Sequence, residues 1–512
     1  NLTMQSRRMP ISHVLTVGNQ ADVGVEECVE ALVGDPSVSA IGLHVEALGD
    51  VPRFEAACRR ASAADVPMVV LKTGSSTLGA RIVVSHTSSL VGDATAYRAL
   101  FQRLGVRQVD SIPELLDTLA VLDRLGGISG RRLVSMSCSG GEASVVADQA
   151  ESMDLDLPAF DDAHAARIAD TLSDLVSVSN PLDYHTFIWG DPERLRTTFT
   201  AVMDGPLDAA MLVLDFPSTG LDDSGWWPTL GAFAEASRAT GVPGVVVASM
   251  AESLPPEVET AADVAGMVAV RGIGEALKAL EASAWWGDRR TRPPLLEAEP
   301  FDRKDLRTLY EVEARGLLEA AGVPVPRGLV VPVVDAVVAS ASLTGRVVVK
   351  ATGMAHKTEA GRVAVDLAGA AEVGAALAGM GLADDAPVLV EEFVDDAVVE
   401  LLVSVRREPP VGWLLTLGIG GTLVELLGDT TSLLLPVDAD EVLAALRGLA
   451  GWPLIEGHRG NPPADLDALV ATILGIVGVV EVRPDLVELE CNPVLARPVG
   501  AITVDALAIV VD

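Results

Sequence analysis

Short apolar runs alternate with longer amphipathic stretches through the first part of the chain, starting with HVLTVG, SAIGLHVE and PMVVLKTG. Helices are predicted between these runs, near 25–32 and near 53–63. This alternation is typical of βαβ units around a buried parallel sheet. A second cycle begins at RRLVSMSCSGG and continues through AAMLVLDF, VPGVVVASM and GMVAVRG. We therefore predict two consecutive open α/β domains, over 1–126 and 127–287.

The pattern changes after a stretch that mixes proline and charge without periodicity, WWGDRRTRPPLLEAEPFD. Such composition predicts a linker, which we place at 288–303. Beyond it, a helix is predicted over 306–321, followed by the closely spaced strands VVVKAT, VLVEEFV, VVELLVSVR and GWLLTLGIGG. The remaining 304–512 is therefore predicted to be an α+β domain of a size that suits a nucleotide-binding ligase.

Composition narrows the classes of partner. Asp and Glu number 72 against 37 Lys and Arg, and a formal charge of -35 disfavours nucleic acid and anionic lipid as partners. No apolar run is long enough to predict a membrane-spanning helix, and the start NLTMQSRRMP lacks the apolar core of a secretory signal. Four widely spaced cysteines without a CxxC pair predict neither disulfides nor structural zinc. We expect a soluble, cytoplasmic protein.

Two of the five lysines fall seven positions apart in RVVVKATGMAHKTEAGRV. Lys350 is predicted at a strand end, and His356 and Lys357 in the loop beyond it, where lysines can neutralise nucleotide phosphates. The alternative, a polar surface loop, stays open for this segment alone. Further on, LTLGIGGTLVELLGD brings Gly420 and Gly421 into a turn through which backbone amides can approach a phosphate.

Oxygen donors fall on predicted strands near the end of the chain, where apolar residues would be expected. LVELECNPV supplies Glu490 and Asn492, and TVDAL supplies Asp505. Hard ligands of this kind suit Mg²⁺ that is shared with substrate phosphates. Polar residues on an edge strand are the alternative.

Taken together, these features resemble the ATP-grasp domain of the ADP-forming acyl-CoA synthetases, relatives of succinyl-CoA synthetase. The resemblance covers nearly all of 304–512 and includes VEEF and GHRGNPPAD. It implies a nucleotide site and a site for Mg²⁺. The nucleotide site would include Lys350, Lys357, Glu392, Gly420 and Gly421, and the metal site Glu490, Asn492 and Asp505.

The first domain carries GARIVVSHTSSLVGD, which resembles the loop of the same family whose histidine carries the phosphoryl group. That histidine would be His86, since a neutral imidazole is nucleophilic at neutral pH. Ser88 stands where the family usually has Gly. By the same resemblance, Glu46 would orient the phosphohistidine, and His356 would act as a second relay. A plain surface histidine and an exposed strand-end Glu are the alternatives.

The second domain contains VSMSCSGGEASVVADQAE, a predicted strand, glycine turn and helix. A helix that starts at Gly140 and Gly141 presents free amides to an anion, and the segment resembles the family's phosphate-facing NAGGPG helix. A plain tight turn is the alternative. The resemblance also makes the two α/β domains flavodoxin-like. No counterpart of the family's CoA-binding Rossmann domain is found in these 512 residues. We expect a truncated chain, and a separate polypeptide that supplies this domain is the alternative.

Aromatic residues concentrate in NPLDYHTFIWGDPE, in a chain with only 4% aromatics. Tyr184 and His185, with Phe187 and Trp189, either line a pocket for a bulky or aromatic acyl group or pack at a domain interface.

The function that the resemblance implies is ligation of a carboxylic acid to CoA, with ATP converted to ADP through an acyl phosphate and a phosphohistidine. An ATP-grasp carboxylate–amine ligase, which needs no phosphohistidine, is one alternative. Others are a regulator that binds CoA without turnover, and an oligomeric scaffold. ATP, CoA, the acid and Mg²⁺ are the expected small molecules, and a homodimer is the expected assembly.

Overall fold

A computed structural model describes most of the chain. The described residues are 7, 9–74, 76, 94–354, 360–420 and 428–512, with the backbone alone at Arg303. Four predicted site residues lie outside them: His86, His356, Lys357 and Gly421. The chain divides into two compact units, Asn1–Val91 with Phe101–Arg292, and Gly92–Leu100 with Pro293–Asp512.

The first unit contains two parallel sheets. The smaller has three strands in the order β1-β2-β3, and the larger has five in the order β5-β4-β6-β7-β8. Every neighbouring pair is parallel. The strands are β1 Ile41–Val45, β2 Met68–Lys72, β3 Val106–Val109, β4 Leu133–Ser137, β5 Leu182–Asp183, β6 Ala209–Val213, β7 Gly244–Ala248 and β8 Val268–Arg271.

Helices connect these strands and cover the sheets, as a parallel connection requires. Ile112–Leu125 is an example: Ser111 caps its first turn, and its buried Leu115 and Leu122 pack with β2 and with Trp286. The helices of this part are Val25–Val33, Val51–Ala63, Ala94–Leu104, Ile112–Leu125, Gly140–Ala150, Asp162–Ala169, Pro192–Met203, Trp226–Thr240, Pro256–Val264 and Ile273–Gly287, with 3₁₀ turns at Thr186–Ile188 and Ala251–Ser253.

The second unit is built on two antiparallel sheets. One has four strands in the order β10-β13-β11-β12, and the other runs β16-β15-β14-β17-β19-β9 with β18 added beside β17. The strands are β9 Leu306–Leu309, β10 Gly328–Pro332, β11 Val347–Ala351, β12 Val363–Leu367, β13 Pro387–Glu392, β14 Val399–Glu408, β15 Gly412–Ile419, β16 Thr430–Leu434, β17 Leu486–Ala496, β18 Ala501–Thr503 and β19 Ala506–Val511.

Apolar helices cover one face of each sheet of the second unit. Val333–Ser340 and Ala370–Met380 pack on the four-stranded sheet, and Leu466–Val482 packs on the larger one. The helices are Glu311–Ala320, Val333–Ser340, Ala370–Met380, Ala439–Arg447, Trp452–Ile455 and Leu466–Val482, with a 3₁₀ turn at Arg303–Asp305.

The predicted order, parallel α/β followed by antiparallel α+β, is therefore observed. Two details of the prediction are wrong. The helix predicted over 306–321 begins only at Glu311, because Leu306–Leu309 pairs with β19 as a strand. The run HVLTVG joins no ladder; its residues line a cavity of about 800 Å³ beside β1.

The predicted domain boundaries stay predictions; 126 and 287 fall at the ends of the helices Ile112–Leu125 and Ile273–Gly287. Among the described residues, no helix is both long and apolar enough to cross a lipid bilayer.

Candidate functional site

A buried lysine lies on the face of the four-stranded sheet that its covering helices leave free. Val347 and Val349 of β11 belong to the helix-covered core, so the alternation of a strand directs Lys350 to the opposite face. There the Lys350 ammonium lies 2.6 Å from Glu311 Oε1 and 2.6 Å from Glu391 Oε1. It also donates to the carbonyl oxygen of Val504, between β18 and β19. We call Lys350, Glu311 and Glu391 the lysine centre.

The lysine centre is almost closed to solvent, with Lys350 5% exposed and Glu391 2% exposed. Burial alone would lower the pKa of Lys350, but Glu311, Glu391 and Asp505 outweigh it and raise that pKa. The lysine therefore stays protonated at any physiological pH. Arg315 contributes a second cation, with its Nη1 2.8 Å from Glu391 Oε2.

The neighbouring Glu392, which was predicted for the nucleotide site, faces the other way. Successive strand residues point to opposite faces, and Glu392 accepts hydrogen bonds from the backbone amide and hydroxyl of Thr344. These bonds lower the pKa of Glu392. Its nucleotide role stays a prediction, and Glu391 is the glutamate that contacts Lys350.

The predicted metal ligands lie on β17, which carries Glu490 and Asn492, and in the turn before β19, which carries Asp505. The backbone amide of Asn492 in β17 donates to the carbonyl oxygen of Asp505 over 3.2 Å, and Glu490 pairs in register with Leu507 of β19. Cys491 lies between Glu490 and Asn492 in the sequence. Burial raises the pKa of its thiol most, and the negative charges of Glu490 and Asp505 raise it further, so both carboxylates lie near this thiol. Two carboxylates and an amide oxygen are hard donors that fit Mg²⁺. Across the described residues, no three His, Cys, Asp or Glu side chains form a ready metal cluster.

Gly420 lies where the chain passes close to β14. Its amide donates to the carbonyl oxygen of Glu400 over 2.6 Å, and a Cβ at this position would lie 2.7 Å from the carbonyl carbon of Leu401. No larger residue fits without moving backbone. The glycine is thus required by packing, whether or not the turn also binds phosphate.

In the first unit, Glu46 and Lys72 lie at the carboxyl ends of neighbouring parallel strands. Val45 and Lys72 are in register, and Glu46 follows directly. Glu46 is exposed, whereas Lys72 is buried and donates to the carbonyl oxygen of Thr73 over 2.6 Å. Burial lowers the pKa of Lys72, and Glu46 opposes that shift. In open α/β sheets this edge is where ligands bind.

Gly140 and Gly141 begin a helix, as predicted, at the carboxyl end of β4. Ser139 caps the helix by accepting a hydrogen bond from the amide of Glu142. A Cβ at Gly140 would lie 3.2 Å from Asp183 Oδ2, so the turn is close to the end of β5.

Three carboxylates that sequence analysis missed surround this helix start: Glu142, Asp183 and Asp215, here called the carboxylate cluster. Burial, then Asp215 and Asp183, raise the pKa of Glu142 to about 7. Asp215 accepts from the backbone amide of Ser249 over 2.8 Å and from its hydroxyl. Asp183 ends β5 and Asp215 lies two residues after β6, close to the strand-end position that singled out Glu46 and was overlooked here.

The two residues of the predicted acyl pocket lie in different surroundings. Tyr184 is 0% exposed and packs edge-on against Phe199, with ring centroids 5.2 Å apart. His185 has a positive φ of 54°, stacks on Phe187 and places Nε2 3.6 Å from Asp183 Oδ2. Tyr184 is therefore a core residue, and His185 faces outward. A shared acyl pocket stays a prediction.

Comparison with known proteins gives two family matches. Residues 2–122 match a succinyl-CoA ligase like flavodoxin domain, and residues 301–510 match an ATP-grasp domain. The predicted fold class, flavodoxin-like parallel α/β followed by ATP-grasp, is confirmed.

Curated relatives match along nearly the whole chain. A trans-feruloyl-CoA synthase from an unknown prokaryotic organism is 28% identical over 99% of this chain and 74% of the relative. An ADP-forming acetate–CoA ligase of Methanocaldococcus jannaschii is 24% identical, covering 94% and 72%. An ADP-forming 4-hydroxybutyrate–CoA ligase of Nitrosopumilus maritimus is 27% identical, covering 96% and 72%.

Solved structures also match in part. The acetyl-coenzyme A synthetase 1 of Ca. Korarchaeum cryptofilum, in complex with phosphate and ADP, is 20% identical over 53% of this chain and 58% of that one, with a TM-score of 0.46. A second structure of that protein, with coenzyme A and Ca-AMPCP, is 28% identical over 40% of this chain and 93% of that one, with a TM-score of 0.37.

Proposed function

The chain belongs to the ADP-forming acyl-CoA synthetases, and from that premise we propose that it joins a carboxylic acid to CoA while converting ATP to ADP and phosphate. It is an acid–thiol ligase. The three relatives described above match it over more than two thirds of their own length.

The observation that carries this proposal is the lysine centre with Asp505 beside it. Lys350 is buried, its pKa is raised, and it belongs to the residues 301–510 that match an ATP-grasp domain, which supports a role toward nucleotide. Glu311 and Glu391 fix the ammonium in place before any ligand arrives, so it costs little to orient when an anion binds. Its three N–H groups point to Glu311, Glu391 and the carbonyl oxygen of Val504, so the phosphates of ATP would have to replace one of these partners to reach the ammonium.

Mg²⁺ fits the neighbouring oxygen donors. Glu490, Asn492 and Asp505 would hold it, and it would neutralise phosphate charge during phosphoryl transfer. Beside the metal, residues of this chain would bind and orient the nucleotide. Lys350 would bind its phosphates, and Gly420 lets the backbone pass close to β14.

The phosphoryl group travels through His86. Its imidazole nitrogen takes the terminal phosphoryl group of ATP as the bond to ADP breaks, and the carboxylate of the acid then takes that group to give an acyl phosphate. The sulfur of CoA attacks the acyl carbon, phosphate leaves and the thiol proton leaves with it. Glu46, at the edge of the first sheet, orients the imidazole, and His356 with Lys357 serves the ATP side.

The acid is bulky or aromatic. Two relatives are named for ferulate and 4-hydroxybutyrate, and the aromatic residues around His185 and Phe187 lie at the same strand ends as Gly140. We further propose a homodimer in the cytoplasm; sedimentation velocity and cell fractionation would test these two points.

The activity is tested by measuring ADP release from the full-length protein with ferulate, 4-hydroxybutyrate and acetate, each with and without CoA. The proposal expects sustained ADP release only when acid and CoA are both present, and fastest with ferulate. Sustained release that needs an amine and not CoA would identify an amine ligase instead. No sustained release under any condition would favour a regulator.

A further inference from the structure

A small cavity lies beside the lysine centre, between the helix Glu311–Ala320 and the turn that joins β18 to β19. Its volume is about 10 Å³, close to the smallest volume that holds one water molecule. It therefore has room for one small molecule and for nothing larger. Apolar and polar residues share its wall: Leu318, Val325, Glu311, Arg315, Glu391 and Thr503.

The side chain of Thr503 is the second observation that points to a ligand in this cavity. Thr503 is the last residue of β18, is 2% exposed, and its hydroxyl has no hydrogen-bond partner among the described residues. The strand is held in place, because the amide of Thr503 donates to the carbonyl oxygen of Pro324 over 2.9 Å. A buried hydroxyl without a partner is costly, and a molecule bound in the cavity would supply the partner.

The charged groups at the cavity favour a neutral occupant. Glu391 already pairs with Lys350 and with Arg315, and Glu311 pairs with the same lysine. An anion here would meet two carboxylates, and a cation would meet the Arg315 guanidinium. Mg²⁺ keeps several water ligands, for which a cavity of this size has no room. The occupant must therefore be small and uncharged, and it must both accept and donate hydrogen bonds.

We propose that one water molecule binds in this cavity, where it accepts a hydrogen bond from the Thr503 hydroxyl and donates to the carboxylates of Glu311 and Glu391. A hydroxyl can donate one hydrogen bond, and a carboxylate only accepts, so water matches all three groups. Three hydrogen bonds are the usual number for a buried water molecule. The water is thus part of the folded structure of the second unit.

This water would hold the turn that follows Thr503. In that turn, the carbonyl oxygen of Val504 accepts a hydrogen bond from Lys350, and the next residue is the proposed metal ligand Asp505. The water adds a second connection between the turn and the carboxylates of the lysine centre. Resting on the proposed function, Thr503 is therefore a positioning residue for Asp505, and through it for the nucleotide with its Mg²⁺.

Thr503→Val tests the water site through the stability of the full chain. The change keeps the size of the side chain and removes the hydroxyl, so a bound water would lose one partner. The thermal midpoint should then fall by about 2–4 °C. If no water binds, the change removes an unpaired buried hydroxyl, and an unchanged or higher midpoint would overturn the proposal.

Thr198→Val is the matched control. Thr198 is 0% exposed, its hydroxyl also has no hydrogen-bond partner among the described residues, and it does not line this cavity. Its replacement should leave the thermal midpoint unchanged or slightly higher. An equal fall in both variants would assign the effect to the exchange of Thr for Val and would overturn the proposal.

A crystal structure of the wild-type protein, grown with rubidium chloride, identifies the occupant. The proposal expects one peak of electron density in the cavity, about 2.7–3.0 Å from the Thr503 hydroxyl oxygen and from carboxylate oxygens, without anomalous scattering by rubidium. Anomalous scattering at this position would identify a site for a monovalent cation. Either that result or a cavity without density would overturn the proposal.

Calorimetry with Mg-ADP tests the positioning role. Thr503→Val should weaken binding about three- to tenfold, whereas Thr503→Ser, which keeps the hydroxyl, should stay within about twofold of wild type. Unchanged affinity of Thr503→Val, or equal weakening by both changes, would overturn the positioning role. A wild type that binds no Mg-ADP would instead overturn the proposed function, and the thermal midpoints and the electron density would still decide the water site.

Discussion

The lysine centre and the carboxylate cluster solve the same electrostatic problem in different ways. Three carboxylates gather in each region: Glu311 and Glu391 of the lysine centre with Asp505 beside them, and the three members of the carboxylate cluster. At the lysine centre, the Lys350 ammonium and the Arg315 guanidinium offset two of the three negative charges, and the pKa of Lys350 rises. Glu142 has no ion pair with Lys or Arg among the described residues, and its own pKa rises to about 7.

Two regions with the same number of acidic residues can therefore respond differently to pH. A buried cation makes one region insensitive to pH across the neutral range, because a lysine with a raised pKa loses its stabilising charge only in strong alkali. A proton makes the other region sensitive to pH near neutrality. The first arrangement keeps its charge constant across the neutral range, and the second changes its charge there.

The largest expected effect comes from removing the fixed cation. Lys350→Met leaves Glu311 and Glu391 buried without their partner, and we expect the free energy of unfolding to fall by about 3–5 kcal/mol. Urea denaturation measures this, with the exposed Lys304→Met as the control. If the two variants unfolded at the same urea concentration, Lys350 would not hold the centre together.

A smaller effect separates the regions by pH. The folded-state pKa of Glu142 lies above its unfolded value, so the protonated carboxyl contributes stability below about pH 4.5 that is lost as pH rises through about 7. Because Glu142 is partly exposed and solvent screens its charge, wild type should lose roughly 1–2 kcal/mol of stability relative to Glu142→Gln between about pH 5 and pH 8. Denaturation curves at several pH values measure the difference. Parallel curves for the two proteins would contradict a raised pKa.

The smallest predicted effect ranks the two aspartates. Asp215 acts on Glu142 more strongly than Asp183, which also has His185 3.6 Å away. Asp215→Asn should therefore lower the pKa of Glu142, and Asp183→Asn should lower it by less. Carboxyl infrared or NMR titration of Glu142 reports the shift. The opposite ranking would show that the geometry around Asp215 does not govern Glu142.

Much of the fold could be predicted from the sequence, because the spacing of apolar residues and the composition of a segment determine its local secondary structure. The buried strands around Lys350 and the amphipathic helix Ile112–Leu125 follow from their own residues. The prediction of a strand at HVLTVG is wrong. A strand must also form hydrogen bonds with a neighbouring strand, and an apolar run does not specify that neighbour.

The site was predicted only in part for a similar reason. The rarity of lysine singled out Lys350, but its partners come from a helix start and another strand, and only the fold brings them together. Glu142 escaped notice because an acid in the first turn of a helix is ordinary. What makes it unusual is the approach of Asp183 and Asp215 from other strands. His86 and Glu46 were found by resemblance, and their roles stay predictions.

The central claim, a phosphoryl relay through His86, is tested most directly by mass spectrometry of the intact protein after incubation with Mg-ATP. Wild type and His86→Ala are compared before and after mild acid. The account predicts one acid-labile phosphoryl group on wild type and none on the variant. An unphosphorylated wild type that still binds ATP, or equal phosphorylation of the His86→Ala variant, would contradict it.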